Sequence, residues 1–283
     1  MSVLPPGHAL MVYGPETLQS SLTAMLDHFV AQATGLVASE RFLAVHDDIS
    51  ITQFYELTGS TKGPHWPLVV DLFDGRPCLV TVWRGLNALP ELQRIKGATQ
   101  PCLAGSETVR SRFWCDNPVC NLVHVSDSSD IARSEWALLQ SRRISDVDGL
   151  RLSQGPCSTA RHLRHSALWQ FAEWLGASGA DPLLAPRPPA SMAQGSVLES
   201  ALAAIHAILR AHTAAPPWLQ EAIAGYLHGE RASLEVIKRH LRRPSAWQRM
   251  IIECGLSSNP IWMKRLNIDA ETPWPNLSEM VGP

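Results

Sequence analysis

The sequence predicts an α+β fold in residues 1–150, followed by an all-helical region. In the first part, short apolar runs alternate with segments of helical spacing in the order β-α-β-α-β-α-β. That order is typical of a small antiparallel sheet covered by helices on one face. After residue 150 the strand-like runs stop and only helical spacing continues. A chain of 283 residues is long enough for both parts to bury a core.

Four apolar runs are predicted to form the sheet. The first ends at Gly14-Pro15, a pair that interrupts a strand. The third is the clearest, because it runs from Pro77 to Trp83 without a charged residue. The four strands are expected at residues 8–13, 36–45, 77–83 and 119–124.

Helical spacing fills the segments between these strands. Apolar residues recur every three or four positions from residue 17 to residue 32, which predicts one helix. The Gly-Ser-Thr-Lys-Gly sequence at 59–63 separates two shorter helical patterns. The helices of the first part are expected at 17–32, 50–58, 64–73, 87–96 and 127–140.

The later part divides into two regions. Residues 151–195 are predicted to form a helix and a proline-rich linker, and residues 196–283 a helical accessory domain. Gly176 is a candidate helix stop, and Ser196 with Glu199 has the spacing of a capping box. Helices are expected at 159–175, 196–212, 216–227, 232–241 and 245–254, with a turn at Asn259-Pro260.

The composition excludes several classes of protein. Lys and Arg number 24 against 26 Asp and Glu, so the charge balance does not indicate binding to nucleic acid or to a membrane surface. The sequence shows neither a run of about 18 apolar residues nor a secretion signal. The six cysteines lack the spacing of a zinc site. We therefore predict a cytoplasmic protein with reduced thiols.

The most informative stretch is Asn-Leu-Val-His-Val-Ser-Asp-Ser at residues 121–128. A short apolar run carries His124 to the end of a predicted strand, and the Ser-Asp-Ser sequence then opens a helical pattern. Ser and Asp are good helix N-caps, and the first N–H groups of a helix bind anions. On chemistry alone, His124 is a candidate nucleophile beside a phosphate site or an ordinary packing residue.

This stretch resembles the signature Asn-x-x-His-Gly-Ser-Asp-Ser of the nucleoside diphosphate kinase family. The resemblance covers about residues 8–140 and implies a ferredoxin-like antiparallel sheet. It also implies a homo-oligomer, because family members assemble as dimers, tetramers or hexamers. Further matches to the family occur in the same order at Tyr55, 75–77, 83–88, 97–101, 108–110 and Glu135.

The resemblance implies ping-pong phosphoryl transfer. His124 would take the γ-phosphate of a nucleoside triphosphate and pass it to a diphosphate. Glu135 would orient the histidine ring, and Tyr55 would brace the site. Mg²⁺ is the implied cofactor, carried by the nucleotide phosphates. The residues implied to contact the nucleotide are Arg110, Thr99, Asn121, Arg94, His65, Val69 and Ser126.

Three cations of the family pattern are missing. Gly14 stands where the family triplet Lys-Pro-Asp has its lysine, and Gly63 and Gln93 stand where two arginines belong. Val125 replaces the glycine that follows the active histidine. Each lost cation removes about 1.5–3 kcal/mol of charge-assisted bonding to phosphate. Nearby residues that could substitute are Lys62, His65, Arg94 and Arg112.

These departures leave three hypotheses open. The first is a histidine phosphotransferase acting on a nucleoside diphosphate or an unusual acceptor. The second is another nucleotide-dependent group transferase on the same scaffold. The third is a protein that binds nucleotide or a partner without turnover. The helical region would then either cover the active site or dock a partner.

Overall fold

The computed structural model describes residues 4–147, 159–178, 194–211 and 217–268, together with Arg187, Pro189 and Met192. The chain divides into two compact units. Unit 1 comprises Met1–Arg112 and Val119–His165, and unit 2 comprises Phe113–Pro118 and Ser166–Pro283. The grouping of Phe113–Pro118 with the later helices was not indicated by the sequence. Most of the predicted proline-rich linker and the side chain of Ser196 lie outside the described residues.

Unit 1 is built on one five-stranded sheet, which confirms the predicted α+β class with an antiparallel sheet. The strand order is β4-β1-β3-β2-β5, and every neighbouring pair is antiparallel. The strands are β1 (His8–Tyr13), β2 (Val37–Val45), β3 (Pro77–Arg84), β4 (Val123–Val125) and β5 (Arg143–Asp146).

Strand β5 was not predicted, because its four residues, Arg-Ile-Ser-Asp, lack an apolar pattern. Its one large apolar side chain, Ile144, is 58% exposed. Arg143 instead attaches the strand to β2: its guanidinium is 2.6 Å from Oε1 of Glu40 and lies over the ring of Phe42. Contacts of this kind between strands do not appear as a periodic signal in a sequence.

The central strands are covered on both faces. Residues Ala9 to Tyr13 of β1 are all at most 2% exposed, and β3 is buried from Cys78 to Trp83. Successive side chains of a strand point to opposite faces, so burial of every residue requires cover on both. The expectation of helices on one face only is therefore wrong for these two strands.

The helices of unit 1 follow the predicted order with two corrections. The short helix at Val109–Arg112 was not predicted. The single helix expected at 17–32 is two helices, because Ser21 adopts a left-handed conformation with φ of 54° and interrupts the spiral. The helices are α1 (Pro15–Gln19), α2 (Thr23–Thr34), α3 (Asp48–Glu56), α4 (Trp66–Phe73), α5 (Ala88–Lys96), α6 (Val109–Arg112), α7 (Ser129–Ser141) and α8 (Thr159–His162).

Strand β4 begins later than the sequence predicts. The apolar run from 119 to 122 is irregular because Leu122 has a φ of 71°, which no strand residue adopts. Only Val123–Val125 pairs with β1, with His124 opposite Val12. The predicted strand at 119–124 is therefore wrong in its start, although its end correctly carries His124.

After Ser166, the described part of unit 2 is mainly helical, as predicted. Its helices are α9 (Ala167–Ser178), α10 (Gln194–Ala211), α11 (Pro217–Leu227), α12 (Arg231–His240) and α13 (Ala246–Arg265). Helix α9 packs on α10 and α13, and α11 packs on α12 and α13. The predicted helix over 159–175 is instead the short α8 followed by α9, with a break before Ser166.

Two predicted helix ends in unit 2 are wrong. Gly176 does not stop α9, which continues to Ser178 with the glycine buried inside the helix. The turn expected at Asn259-Pro260 lies within α13. Pro260 removes one helical hydrogen bond, but Trp262 beyond it is 1% exposed. Burial of this large side chain favours continuation of the helix beyond the proline.

The segment Phe113–Pro118 supplies the N-cap of α9. The carboxylate of Asp116 accepts hydrogen bonds from the backbone N–H groups of Ala167 and Leu168, at 3.1 and 3.0 Å, and from Oγ of Ser166 at 2.7 Å. The indole of Trp262 donates to the Asp116 carbonyl at 2.8 Å. This segment is therefore part of the core of unit 2, although it precedes β4 in the chain.

None of the helices in the described part of the chain has the length and apolar character needed to cross a bilayer.

Candidate active site

His124 lies on β4, an edge strand of the sheet, and its ring is held by a carboxylate from α7. Its Nε2 lies 2.8 Å from Oε1 of Glu135, which is fully buried. A carboxylate only accepts hydrogen bonds, so this contact keeps the proton on Nε2 and leaves the Nδ1 lone pair for a substrate. Among the described residues, Nδ1 has no hydrogen-bond partner.

Glu135 is fixed in turn by Ser126. The Ser126 hydroxyl donates to Oε2 of Glu135 at 2.5 Å, and both residues are buried. Each carboxylate oxygen therefore has its own donor, one from His124 and one from Ser126. This arrangement sets the orientation of the imidazole ring before any ligand binds.

Aromatic rings from α3 and α4 surround His124. The rings of Phe54 and Tyr55 lie edge-on to the imidazole, with centroids 4.9 and 5.9 Å away. Trp66 packs against Tyr55 at 5.6 Å. Burial and the nearby Glu16 carboxyl raise the pKa of Tyr55 above its ordinary value, so its phenol stays neutral. Tyr55 therefore contributes a wall and an uncharged hydroxyl to the site.

The outer edge of β4 is closed by side chains instead of another strand. Arg110 donates to the carbonyls of Asn121 and Val123, at 3.1 and 2.9 Å. Lys96 donates to the Val125 carbonyl at 3.4 Å, and Gln93 donates at 2.9 Å to the carbonyls of the next two residues. These hydrogen bonds satisfy backbone carbonyl groups along the strand that carries His124 and in the turn that follows it.

The two glycines that replace family cations leave space that a later side chain fills. A Cβ atom at Gly14 would lie 2.6 Å from Cδ of Glu16, and one at Gly63 would lie 2.6 Å from Cε1 of His65. In both places, the side chain two residues later occupies the room of the missing one. At Gly14, a carboxyl group therefore occupies the space where the family has a lysine.

The carboxyl group of Glu16 is only half satisfied. It is 2% exposed, Oε1 accepts from the N–H of Leu122 at 2.8 Å, and Oε2 has no hydrogen-bond partner within the part of the chain that the structure describes. Burial raises the pKa of Glu16 to about 7, although the nearby charge of Arg110 opposes this shift. Near neutral pH the group is therefore divided between its acid and its carboxylate form.

The structure therefore places His124 beside the carboxylate of Glu135, within the sequence motif at residues 121–128. A family model described as nucleoside diphosphate kinase matches residues 8–143. A nucleoside diphosphate kinase of Methanoregula boonei is 32% identical over 111 residues, which cover 39% of this chain and 71% of that protein. The chain belongs to the nucleoside diphosphate kinase family. Membership indicates nucleotide phosphotransfer in general terms.

Other members of the family match at lower identity. A nucleoside diphosphate kinase of Campylobacter fetus subsp. fetus is 27% identical over 136 residues, which cover 47% of this chain and 95% of that protein. The solved structure of a halophilic nucleoside diphosphate kinase from Halobacterium salinarum in complex with CDP matches with 20% identity and a TM-score of 0.42. That match covers 49% of this chain and 91% of the other. Magnesium dependence, a homo-oligomer and a cytoplasmic location stay predictions.

The structure brings some of the predicted nucleoside diphosphate kinase site residues together. His124, Glu135, Ser126 and Tyr55 form one connected group. Arg110, the predicted phosphate contact, is 3% exposed and donates to three backbone carbonyls, the third being that of Gly97 at 2.8 Å.

The remaining predicted residues are more dispersed. Arg94 is exposed, pairs with Glu91 at 2.7 Å and donates to the Ala33 carbonyl of α2. Its guanidinium is therefore engaged away from β4. Thr99 is exposed and Asn121 is half-buried. Val69 is buried on α4, four residues after His65. The nucleotide roles of these residues stay predictions.

Lys96 is a residue near β4 that the sequence analysis did not single out. It lies on α5 three residues after Gln93, so both side chains face the turn from Val125 to Asp127. Arg94, which the sequence analysis named as a nucleotide contact, faces another side of the helix. The available signal was the helical spacing of Gln93 and Lys96 on α5.

Proposed function

We propose that this chain is a nucleotide phosphotransferase that moves the γ-phosphate of a nucleoside triphosphate through His124 to a nucleoside diphosphate or another acceptor. The observation that supports it is the 2.8 Å contact between Nε2 of His124 and Glu135. This contact sets one tautomer and leaves Nδ1 as the nucleophilic nitrogen.

The transfer would proceed in two steps. First, the Nδ1 lone pair forms a bond to the γ-phosphorus, the bond from that phosphorus to the bridging oxygen breaks, and the diphosphate leaves with the electron pair. Second, an acceptor oxygen attacks the phosphorus, and the P–N electron pair returns to Nδ1. Glu135 stabilises the positive charge that the ring carries while Nδ1 is phosphorylated.

Mg²⁺ would be held by the nucleotide phosphates. Within the described residues, no group of three or more His, Cys, Asp or Glu side chains could hold a metal ion. The ion would arrive with its nucleotide. When bound, Mg²⁺ neutralises phosphate charge during transfer.

One observation favours a second candidate function. The Glu16 carboxyl group fills the space of the missing lysine, and its ionised form repels phosphate. A protein that binds nucleotide without turnover would tolerate this change more easily than a kinase. This second candidate predicts nucleotide binding with no phosphorylated intermediate.

The test is the intact mass of the protein after incubation with ATP and Mg²⁺. We expect the wild type to gain one acid-labile phosphoryl group and His124→Asn to gain none. His28→Asn is the matched control, because His28 is an exposed histidine on α2. Nucleotide binding by calorimetry without any phosphoryl adduct would reject transfer through His124 and support the second candidate.

A further inference from the structure

Lys96 holds a charge that its surroundings do not fully neutralise. Its side chain is only 18% exposed. Among the described residues, its contacts are a 3.4 Å hydrogen bond to the Val125 carbonyl and a 3.9 Å approach to Oδ1 of Asp127. An ammonium group has three donors, so a single long bond leaves two of them without a protein acceptor.

Such a position is costly for a free cation. Removing an ammonium group from water without close partners disfavours its charged form, and the pKa of Lys96 is lowered by burial first and by the charge of Arg110 second. Asp127 compensates weakly, because its side chain is 64% exposed. The ammonium group therefore has capacity for an anion that the protein does not itself provide.

The surroundings of Lys96 relate it to the His124 site. Its hydrogen-bond acceptor, Val125, directly follows His124 in β4. Its charge also interacts with that of Glu135, the partner of His124. The phosphate that reaches Nδ1 has no cation at position 14, where Gly14 and the Glu16 carboxyl now stand.

We propose that Lys96 binds the phosphoryl group that is transferred at His124, in place of the lysine missing at position 14. This inference rests on the proposed function, because it assumes that phosphate reaches His124. The long bond to the Val125 carbonyl is weak, so the ammonium group gives up little when it turns toward a phosphate oxygen. The cation comes from α5 instead of from the end of β1.

The test compares substitutions of Lys96 by the rate of phosphoenzyme formation with ATP and Mg²⁺. We expect Lys96→Gln and Lys96→Met both to slow formation roughly a hundredfold, the usual effect of losing one charge-stabilising donor. Lys96→Arg should recover most of the rate and extend activity to higher pH, because arginine does not lose its proton there. Lys264→Gln, an exposed lysine on α13, is the matched control.

The three variants separate charge from structure. A glutamine amide can still donate to the Val125 carbonyl, whereas methionine cannot. A defect in Lys96→Met alone, with unchanged Lys96→Gln, would mean that Lys96 only ties down β4 and would overturn the proposal. Thermal unfolding of each variant shows whether folding is affected.

A binding measurement tests the contact between Lys96 and phosphate separately from phosphoryl transfer. Calorimetry with pyrophosphate and with a non-transferable ATP analogue and Mg²⁺ should show at least tenfold weaker binding to Lys96→Gln than to the wild type. If the wild type forms no phosphoenzyme but this difference remains, the proposed function fails while Lys96 stands as a phosphate ligand. Equal binding and equal rates in Lys96→Gln and the wild type would reject Lys96.

Discussion

The buried carboxyl group of Glu16 makes the stability of this protein depend on pH. The folded protein holds the Glu16 proton up to about pH 7, whereas an exposed glutamate releases it near 4.5. The proton on Glu16 therefore stabilises the folded state. This contribution to the free energy of unfolding is complete below pH 4.5 and is lost as the pH rises through 7. The amount is on the order of 3 kcal/mol, at about 1.4 kcal/mol for each pKa unit.

Substitution of Glu16 by glutamine should remove this dependence. The amide keeps an acceptor for the Leu122 N–H but does not ionise, so the free energy of unfolding of Glu16→Gln should change less between pH 5 and 8. Urea denaturation at several pH values measures it. Glu56→Gln, an exposed glutamate on α3, should follow the wild-type curve. Parallel curves for Glu16→Gln and the wild type would contradict the assignment.

Restoring the family lysine should require a second change. Gly14 has a φ of −63°, so the backbone accepts a side chain, but its Cβ would overlap the Glu16 carboxyl. We expect Gly14→Lys alone to lower stability. Combining it with Glu16→Asp recreates Lys-Pro-Asp and should raise the phosphoenzyme rate roughly ten- to a hundredfold. Glu16→Asp is the control, and equal activity of the single and double lysine variants would refute the steric argument.

Sequence reasoning named the residues that the structure groups around His124 but did not consider Lys96. His124, Glu135, Tyr55 and Ser126 fall within motifs whose spacing the fold preserves, and the structure joins them. Which cation faces β4 depends on the rotation of α5, and a shift of one residue turns a helix by about 100°. Counting residues along the sequence therefore named Gln93 and Arg94 without considering Lys96.

At the scale of elements, strand β4 depends on its side-chain edge. Arg110→Gln would leave the carbonyls of Asn121 and Val123 without their charged donor, and Gln cannot reach both in the same geometry. We expect the free energy of unfolding to fall by about 3 kcal/mol. Urea denaturation tests this, with Arg112→Gln, an exposed arginine of the same helix, as the control. A loss equal to that control would show that the edge bonds are dispensable.

Helix α9 should be unusually sensitive to its N-cap. Asp116→Ala removes a buried carboxylate that accepts two backbone N–H groups and the Ser166 hydroxyl. We expect it to cost about 3 kcal/mol of stability or more, because buried donors are left unsatisfied. Ser128→Ala, the loss of the exposed N-cap of α7, should cost about 1 kcal/mol. Equal costs in thermal or urea unfolding would contradict this account.

The elements that sequence reasoning found are those with their own periodicity. Strands β1 and β3 and most helices fall in this class. The start of β4, all of β5 and the passage of α13 through Pro260 were missed. Each of these depends on tertiary contacts, such as the guanidinium of Arg143 on Phe42 or the burial of Trp262. Local patterns do not contain that information.

At the scale of the whole molecule, the two units cannot be separated by a single cut. The chain passes between them at residues 112–113, 118–119 and 165–166. A fragment of residues 1–165 retains Trp114 and Asp116 but lacks Ser166 and Trp262, their partners in unit 2. We expect this fragment to aggregate or to be digested rapidly in limited proteolysis, whereas the full chain resists. A stable, monodisperse fragment would refute this expectation.

Because unit 2 is built from two separate segments of the chain, its first segment is synthesised well before the residues that it packs against. Trp262 follows Trp114 by 148 residues, and ribosomes add about 5–20 residues per second, so the interval is roughly 7–30 s. During that time the rings that later pack 5.2 Å apart cannot meet. The nascent chain therefore carries the hydrophobic indole of Trp114 without its partner ring, and we expect it to bind chaperones until α13 has left the ribosome.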